Sequence, residues 1–523
     1  MRMPLILPLL MTCTAVAAPA PAPATQPTRT IHFTVDTSKD VHEISPYIYG
    51  NNFGTMRPCN RIGGNRWTAY NWETNASNAG ADWHHQNDDF LSKSSEPGAP
   101  VREAVQAAAR NHSAVIVTVP MAGYVSADKN ADGDVNKTPD YLHKRFFPSL
   151  PRKPGALSLN PDLNDAVVYQ DEFVNWVEKS ARQDPNQVIF YDLDNEPDIW
   201  AATHARIHPE KITYAEIVQR TIDYASAIKR VKPDALVFGA VNYGWNGYRT
   251  LQNAPDGADR DFHPFFLSQM KAAEEKAGRR LLDVLDVHWY PEAQSGDGLR
   301  ITEKNSSPPV IKARLQAPRS LWDPTYVEKS WITKDSTEGQ PIQLLPRLRK
   351  DIETNYPGTK VAITEYNYGG GDDISGAIAE ADVLGIFGRQ GVFCANWWDL
   401  GTGKKFVDAA VDLYLNYDGR GGHFGNRSVF AQADDIDSSS IYASMDSVDR
   451  GSVVLVLINK SDGDVNADVK VMHTGALKPG AVYRLAGAEP IVREEGKAAF
   501  SAPGKLEMVL PAMSVTLVRL SNQ

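Results

Sequence analysis

The chain has 523 residues, of which 42% are hydrophobic and 23% charged, and its net charge at pH 7 is −10. This composition is typical of globular proteins and excludes a mostly disordered, collagen-like or coiled-coil chain. The acidic balance without basic clusters argues against nucleic acid or anionic membranes as partners, and no apolar run is long enough to predict a membrane-spanning helix. The length fits two to four domains, or one large barrel with a smaller companion.

The first residues predict export of the protein. Arg2 supplies a positive charge, residues 5–11 form an apolar stretch, and small residues follow it, so residues 1–18 are typical of a signal peptide. Residues 19–30 are rich in proline and alanine and predict a spacer without regular structure. We therefore expect the mature protein to be secreted or periplasmic.

Two cysteines remain after this cleavage. Cys59 and Cys394 both lie in apolar, strand-like stretches. The sequence leaves open whether they form a disulfide or are buried free thiols.

Strand-like runs alternate with helical patterns between residues 46 and 423. The strands are predicted at residues 47–53, 59–63, 113–119, 188–193, 235–241, 281–288, 360–365 and 391–398. Helical periodicity is clearest at residues 214–228, 265–276, 344–356 and 377–389. Eight strands with crossover helices predict an α/β protein with a (β/α)8 barrel. A doubly wound sheet could use the same elements, but no glycine-rich phosphate loop follows the first strand.

The remainder of the chain has a different pattern. Short strands without helical periodicity are predicted at residues 441–444, 452–459, 465–472, 482–485 and 506–520. They indicate a small antiparallel β-sandwich over residues 424–523. A strand within residues 31–45 precedes the barrel and is expected to join this sandwich.

Two glutamates follow the fourth and seventh barrel strands. Glu196 lies in Asp194-Asn195-Glu196-Pro197, and Glu365 ends the apolar run before Tyr366. Barrel active sites lie at the C-terminal ends of the strands, where two facing carboxylates can cleave a glycosidic bond. Either glutamate alone could instead be a solvated loop residue or a helix cap. Asn195 could bond a sugar 2-hydroxyl or cap the turn.

Several sequence blocks carry a family resemblance. They are Arg61-Ile62-Gly63-Gly64-Asn65-Arg66-Trp67, Tyr70-Asn71-Trp72-Glu73, Asn75-Ala76-Ser77-Asn78-Ala79-Gly80, Asp286-Val287-His288-Trp289-Tyr290-Pro291-Glu292, Leu321-Trp322-Asp323-Pro324-Thr325-Tyr326 and Thr364-Glu365-Tyr366-Asn367-Tyr368-Gly369-Gly370. Together with Asn195-Glu196-Pro197 they resemble glycoside hydrolase family 44. The resemblance implies a barrel with a β-sandwich and retaining endo-β-1,4-glucanase activity, in several members on xyloglucan. It also implies Glu196 as acid/base and Glu365 as nucleophile, with no cofactor required for the chemistry.

Aromatic and polar side chains near the strand ends are the candidate substrate contacts. A tryptophan face can stack on a pyranose ring, although core packing is the alternative for each one. His288 and Tyr290 share one face of their strand, which we expect to point inward, where a hydrogen bond from either could keep Glu365 ionised. The candidate substrate-binding residues are Asn65, Trp67, Trp72, Asn195, His288, Tyr290, Trp322, Trp331, Tyr366, Trp397 and Trp398. Strand alternation sends only one of the last two tryptophans into the barrel mouth.

A metal site is weakly indicated. Asp128, Asp132 and Asp134 resemble the opening of a calcium-binding loop, but the twelfth position is Pro139 where such loops have glutamate. A solvated loop is the alternative to a structural calcium site. Cleavage of a glycosidic bond by two carboxylates does not require a metal ion.

The sequence leaves three functional hypotheses. The first is an endo-acting hydrolase of β-1,4-glucan or xyloglucan, acting as a monomer on a polysaccharide. The second keeps the chemistry but has xylan or mannan as the substrate, because one barrel scaffold serves many sugars. The third, a carbohydrate-binding protein without activity, is disfavoured because both Glu196 and Glu365 are present.

Overall fold

A computed structural model describes residues 29–54, 57–448, 451–475, 477–478 and 480–522. The predicted signal peptide and all but the last two residues of the predicted spacer lie outside these ranges. Within the described ranges, no helix is both long enough and apolar enough to cross a membrane.

Eight parallel strands close into a barrel. They are β1 (Gly50–Asn52), β2 (Cys59–Ile62), β3 (Ala114–Val119), β4 (Ile189–Leu193), β5 (Val237–Asn242), β6 (Val284–Trp289), β7 (Lys360–Tyr366) and β8 (Cys394–Trp397). Strand β8 pairs with β1, which closes the ring. The predicted fold class, a (β/α)8 barrel with a second β domain, is confirmed.

Helices cover the outside of the barrel after β2 to β8. The main ones are Ala99–Arg110, Gln170–Trp176, Tyr214–Val231, Phe262–Ala277, Leu344–Asn355, Ile374–Arg389 and Lys405–Leu415. Tyr214–Val231 shows why these segments are helical: the Thr213 side chain accepts a hydrogen bond from the backbone N–H of Glu216, and one face buries Ile217 and Ile228. The buried faces pack on the barrel and fix the strand ends that form its mouth.

The first barrel strand is shorter than predicted. The chain forms a 3₁₀ turn at Pro46–Tyr49, and only Gly50–Asn52 is extended. Pro46 at the first position of the turn has no N–H to lose, and the Ser45 hydroxyl accepts a hydrogen bond from the N–H of Tyr47. Apolar residues alone did not reveal this capped turn.

The C-terminal strands form one long curled sheet around their own apolar core. The strands of six or more residues are Arg427–Ala433, Ser439–Met445, Val453–Asn459, Val465–Met472, Ala481–Ala486, Lys505–Leu510 and Ser514–Asn522. The predicted strand at 506–520 is two strands, interrupted at Pro511, which cannot donate a ladder hydrogen bond. The N-terminal strand Thr30–Asp36 pairs antiparallel with Arg427–Ala433 and parallel with Val465–Met472, so the sheet is not purely antiparallel.

Polar contacts join the barrel to this second domain. Asp382 on the helix Ile374–Arg389 accepts hydrogen bonds from the Tyr442 hydroxyl at 2.6 Å and from Lys460 Nζ at 2.6 Å. All three side chains are buried, so the ion pair is shielded from water and the lysine charge is matched.

The two cysteines lie together inside the barrel. Cys59 begins β2 and Cys394 begins β8, and both are fully buried. Their Sγ atoms are 3.6 Å apart, and both are free thiols. Of the two alternatives that the sequence left open, the structure has the buried thiols.

Candidate active site

Glu196 and Glu365 face one another at the mouth of the barrel. Glu196 follows β4 with a left-handed backbone (φ 47°), and Glu365 lies near the end of β7. A carboxylate oxygen of each and a ring nitrogen of His288 all lie within 4.8 Å of one another. The two strand ends therefore bring together the carboxylates that the sequence pattern singled out.

Arg61 connects Glu365 and the residue before Glu196 to Asp192 on β4. Its guanidinium is fully buried and donates from Nε to Asp192 (2.8 Å), from Nη1 to Glu365 (2.8 Å) and from Nη2 to Asn195 (3.0 Å). Burial opposes its charge, but Asp192, Glu365 and Asp286 together raise the pKa of Arg61 above its ordinary value. Arg61 therefore stays cationic. The sequence motifs gave it no role, although a charged residue inside a predicted barrel strand was a usable signal.

Both carboxylate oxygens of Glu365 accept hydrogen bonds. Arg61 Nη1 donates to Oε1 and the Tyr290 hydroxyl donates to Oε2, each at 2.8 Å. Burial and the charge of Glu365 raise the pKa of Tyr290 well above its ordinary value, so this tyrosine keeps its proton. Arg61 and Tyr290 therefore fix the orientation of the Glu365 carboxylate and give it a positively charged partner.

Glu196 has a different environment. Burial raises the pKa of its carboxyl to about 8, the charge of Arg61 opposes this increase, and the charge of Asp82 adds to it. Its side-chain partner is His288, whose Nδ1 lies 2.8 Å from Oε1. Burial lowers the pKa of His288 to about 3, so this ring is neutral and adds no positive charge that would ionise Glu196. Glu196 is accordingly protonated at neutral pH.

A cleft of about 880 Å³ runs over the two carboxylates. Five of the candidate substrate contacts line it: Asn65, Trp67, Asn195, Tyr290 and Trp398. Four more aromatic residues on this wall are exposed and were not predicted from the sequence: Phe53, Trp83, Phe90 and Tyr243. All four lie outside the α-helices and β-strands of the structure, and only their exposure in the folded chain reveals them.

Two candidate substrate contacts belong to the barrel core instead. Trp72 is fully buried and stacks on Phe173, and the hydroxyl of the buried Tyr366 donates to Glu380 at 2.8 Å. Neither lines the cleft. Both side chains are directed away from the barrel mouth and pack against helices, so they are not placed to contact a sugar as the sequence predicted.

Three tryptophans also lie outside the cleft. Trp322 stacks on the Arg389 guanidinium (4.2 Å to the ring centre) and lines a cavity between the barrel and the β domain. Trp331 packs on the core before the helical turn Ile332–Ser336, and Trp397 is buried at the end of β8. Strand alternation places Trp398, not Trp397, in the cleft.

The candidate metal ligands are bound by arginines. Arg145 donates to Asp128 (2.6 Å from Nε) and to Asp132 (2.8 Å from Nη2), and Arg206 donates to Asp134 (2.7 Å). Hydrogen bonds from these arginines lower the pKa of Asp132 and of Asp134. The guanidinium groups occupy the place of a cation, so these carboxylates do not form a set that fits calcium.

The trio of Glu196, His288 and Glu365 has the spacing of a metal site, the only such group of three or more ligands in the described part of the chain. Both oxygens of Glu365 are already bonded by Arg61 and Tyr290. Two carboxyl groups with unlike partners, at the ends of opposite strands of a barrel, are the elements of glycosidic bond cleavage. Fold and site together define a glycoside hydrolase.

Comparisons with known proteins identify the family. A sequence profile of glycoside hydrolase family 44 matches residues 76–293. The chain is 42% identical over 476 residues to endoglucanase A of Paenibacillus lautus, covering 87% of this chain and 67% of that protein. It superposes with a TM-score of 0.89 on a Paenibacillus polymyxa xyloglucanase of family 44, at 40% identity and covering 95% of this chain and 100% of that one. The chain belongs to glycoside hydrolase family 44.

A further relative is much longer than this chain. The chain is 41% identical over 499 residues to a β-mannanase/endoglucanase A of Caldicellulosiruptor saccharolyticus. That alignment covers 89% of this chain but 37% of the relative. The relative's two named activities therefore belong to a protein with much additional sequence.

We expect chelation to leave the reaction rate unchanged. Asp128, Asp132 and Asp134 are paired with arginines, and bond cleavage by two carboxylates needs no metal ion. The measurement is the initial rate at 25 °C before and after EDTA treatment and removal of the chelated metal. Immediate loss of activity, restored by a divalent cation, would contradict this expectation.

Proposed function

We propose that this protein is an exported, endo-acting β-1,4-glucanase that cleaves cellulose-type glucan or xyloglucan with retention of configuration. The observation that carries the proposal is the pair of unlike carboxylates, Glu196 and Glu365, in one cleft. Glu196 is the acid/base and Glu365 the nucleophile.

The spacing of the pair supports retention. Retaining enzymes hold their carboxyl groups about 5–5.5 Å apart, and inverting enzymes about 6.5–9.5 Å apart to admit a water molecule. One oxygen of Glu196 and one of Glu365 lie within 4.8 Å of each other. An approach this close supports the shorter, retaining spacing, in which Glu365 itself attacks the sugar.

In the first step a Glu365 oxygen forms a bond to the anomeric carbon. The bond from that carbon to the glycosidic oxygen breaks, and Glu196 gives its proton to the departing oxygen. Ionised Glu365 and protonated Glu196 are the forms that this step requires. Arg61 and Tyr290 hold the nucleophile in place and reduce its rotational freedom.

In the second step Glu196, now ionised, removes a proton from water. The water oxygen bonds to the anomeric carbon from the same face, and the bond to Glu365 breaks. Asn195 lies beside both residues and can donate to the sugar 2-hydroxyl, a contact that strengthens in the transition state. The enzyme returns to its starting protonation state.

The cleft wall supports a polymeric substrate. Exposed rings at Phe53, Trp83, Phe90 and Tyr243 offer faces on which successive sugars can stack away from the cleavage point. The names of the P. lautus endoglucanase and the P. polymyxa xyloglucanase support glucan and xyloglucan as the first substrates to test.

Export and a monomeric state complete the proposal. Export rests on the charged, apolar and small-residue pattern of residues 1–18. A single chain suffices for catalysis because Glu196, Glu365 and their partners Arg61 and Tyr290 all belong to it.

The polymer preference is tested by reducing-sugar release from carboxymethylcellulose, xyloglucan, xylan and mannan. We expect the wild type to cleave the first two best. Faster release from xylan or mannan would reassign the substrate.

The role of Glu365 is tested by the variant Glu365→Gln. We expect it to retain less than about 1% of the wild-type activity, because no other group can replace the nucleophile. The melting temperature and the oligosaccharide binding of the variant should match those of the wild type. Residual activity above this level would remove Glu365 from its role.

The acid role of Glu196 predicts both a pH limit and a leaving-group effect. Since the protonated form is required, the rate should fall as the pH rises through the Glu196 pKa of about 8. Glu196→Gln should lose this alkaline limb and cleave an aryl glycoside of an acidic phenol far better than it cleaves the polymer. Equal slowing of both substrates would show that Glu196 is not the acid.

Retention predicts the β-anomer as the first product. Proton NMR of cello-oligosaccharide hydrolysis, recorded before mutarotation equilibrates the anomers, measures this directly. If the α-anomer appears first, Glu365 acts as a base on water and not as a nucleophile.

A further inference from the structure

Asn195 is held from two sides by hydrogen bonds. Its Oδ1 accepts from Arg61 Nη2 at 3.0 Å, and its Nδ2 donates to Asn65 Oδ1 at 3.5 Å. Asn65 Nδ2 in turn donates to Asp82 Oδ1 at 2.9 Å. The 3.5 Å contact is long, as active-site hydrogen bonds often are before substrate tightens them. Arg61, Asn195, Asn65 and Asp82 thus form one line of hydrogen bonds, in which the last three residues line the cleft and Arg61 is buried.

The charged ends of this line fix its direction. A guanidinium can only donate hydrogen bonds and a carboxylate can only accept them, so Arg61 selects the oxygen of Asn195 and Asp82 selects the nitrogen of Asn65. The remaining amide atoms then meet as donor and acceptor. One N–H of Asn195 Nδ2 is used within the line, and the other is left for a ligand in the cleft.

The two ends differ in what holds them. Arg61 is buried and bonded to Asp192 and Glu365 as well, so its position is fixed by the barrel. Asp82 is exposed on the 3₁₀ turn Gly80–Trp83, which lies at the edge of the cleft. The line of hydrogen bonds is therefore complete only when the loop places Asp82 against Asn65.

We propose that Asp82 and Asn65 are positioning residues that aim the free N–H of Asn195 at the 2-hydroxyl of the reacting sugar. This inference rests on the proposed glycosidase function and deepens it. It also gives Asn65 a role different from the direct sugar contact expected from sequence. Asp82 forms no hydrogen bond with either glutamate, and its charge acts on Glu196 whichever substrate is bound, so a substrate-dependent effect of Asp82 must pass through Asn65 and Asn195.

The test compares two substrates: 4-nitrophenyl β-cellotetraoside, and an analogue that lacks the 2-hydroxyl on the sugar ring bearing nitrophenol. The hydroxyl preference is the ratio of kcat/KM for the first substrate to kcat/KM for the second. Asp82→Ala should lower this preference about 3- to 10-fold, the effect of one hydrogen bond. Removing the Asp82 charge also lowers the pKa of Glu196, but that change affects both substrates alike and cancels in the ratio. If both substrates slow equally, Asp82 does not position Asn195 and the inference is overturned.

A charge swap provides the rescue. Asn65→Asp places a second carboxylate beside Asp82 and should lower the preference, because like charges repel. Adding Asp82→Asn lets the new amide donate to the new carboxylate, which still accepts from Asn195, so the double variant should return to within about twofold of the wild type. A double variant as impaired as Asn65→Asp would overturn the inference.

Two controls separate this inference from the proposed function. Asp89→Asn removes the same charge nearby from a residue that does not line the cleft, and it should leave the preference unchanged. Asn195→Ala should abolish the preference. If it does not, the proposed contact of Asn195 with the 2-hydroxyl is wrong and the line has nothing to position. If Asn195→Ala abolishes the preference and Asp82→Ala leaves it intact, only the further inference fails.

Discussion

The buried guanidinium of Arg61 is the constraint on which the site depends. A cation without access to water must be matched by anions and acceptors, and Arg61 finds them on Asp192, Glu365 and Asn195. These partners come from β4, β7 and the turn after β4, so one side chain ties together both strand ends that carry the glutamates. Replacing Arg61 would leave buried carboxylates without a counter-charge, which is far more costly than losing one surface ion pair.

The same arrangement makes two identical side chains chemically different. Glu365 has Arg61 and Tyr290 on its oxygens, whereas Glu196 has a neutral histidine and a buried setting that raises its pKa to about 8. The difference arises from neighbours and not from the glutamates themselves. His288 contributes by remaining neutral, since a charged imidazole between the two carboxylates would favour ionisation of both.

The aromatic residues of the cleft were predictable from sequence only in part. Trp67 and Trp398 line the cleft, but Trp72 and Trp322 pack elsewhere, although all four lie near strand ends. A tryptophan gains stability from burial in the core as readily as it gains sugar contacts in a cleft, so residue type does not decide between them. No periodic pattern marks the loop that carries the exposed ring of Trp83, so the sequence does not single it out.

The sequence by itself determined the barrel and the two glutamates. Alternating strand and helix periods predict parallel strands, and parallel strands in a closed barrel must bring their C-terminal ends to one mouth. Glu196 and Glu365 follow from that geometry. Only the tertiary structure decided that Arg61 links Glu365 to Asn195, which aromatic rings reach the cleft, and that Asp82 ends a line of hydrogen bonds to Asn195. Those features depend on side-chain directions and on contacts between residues far apart in the chain, which local patterns do not encode.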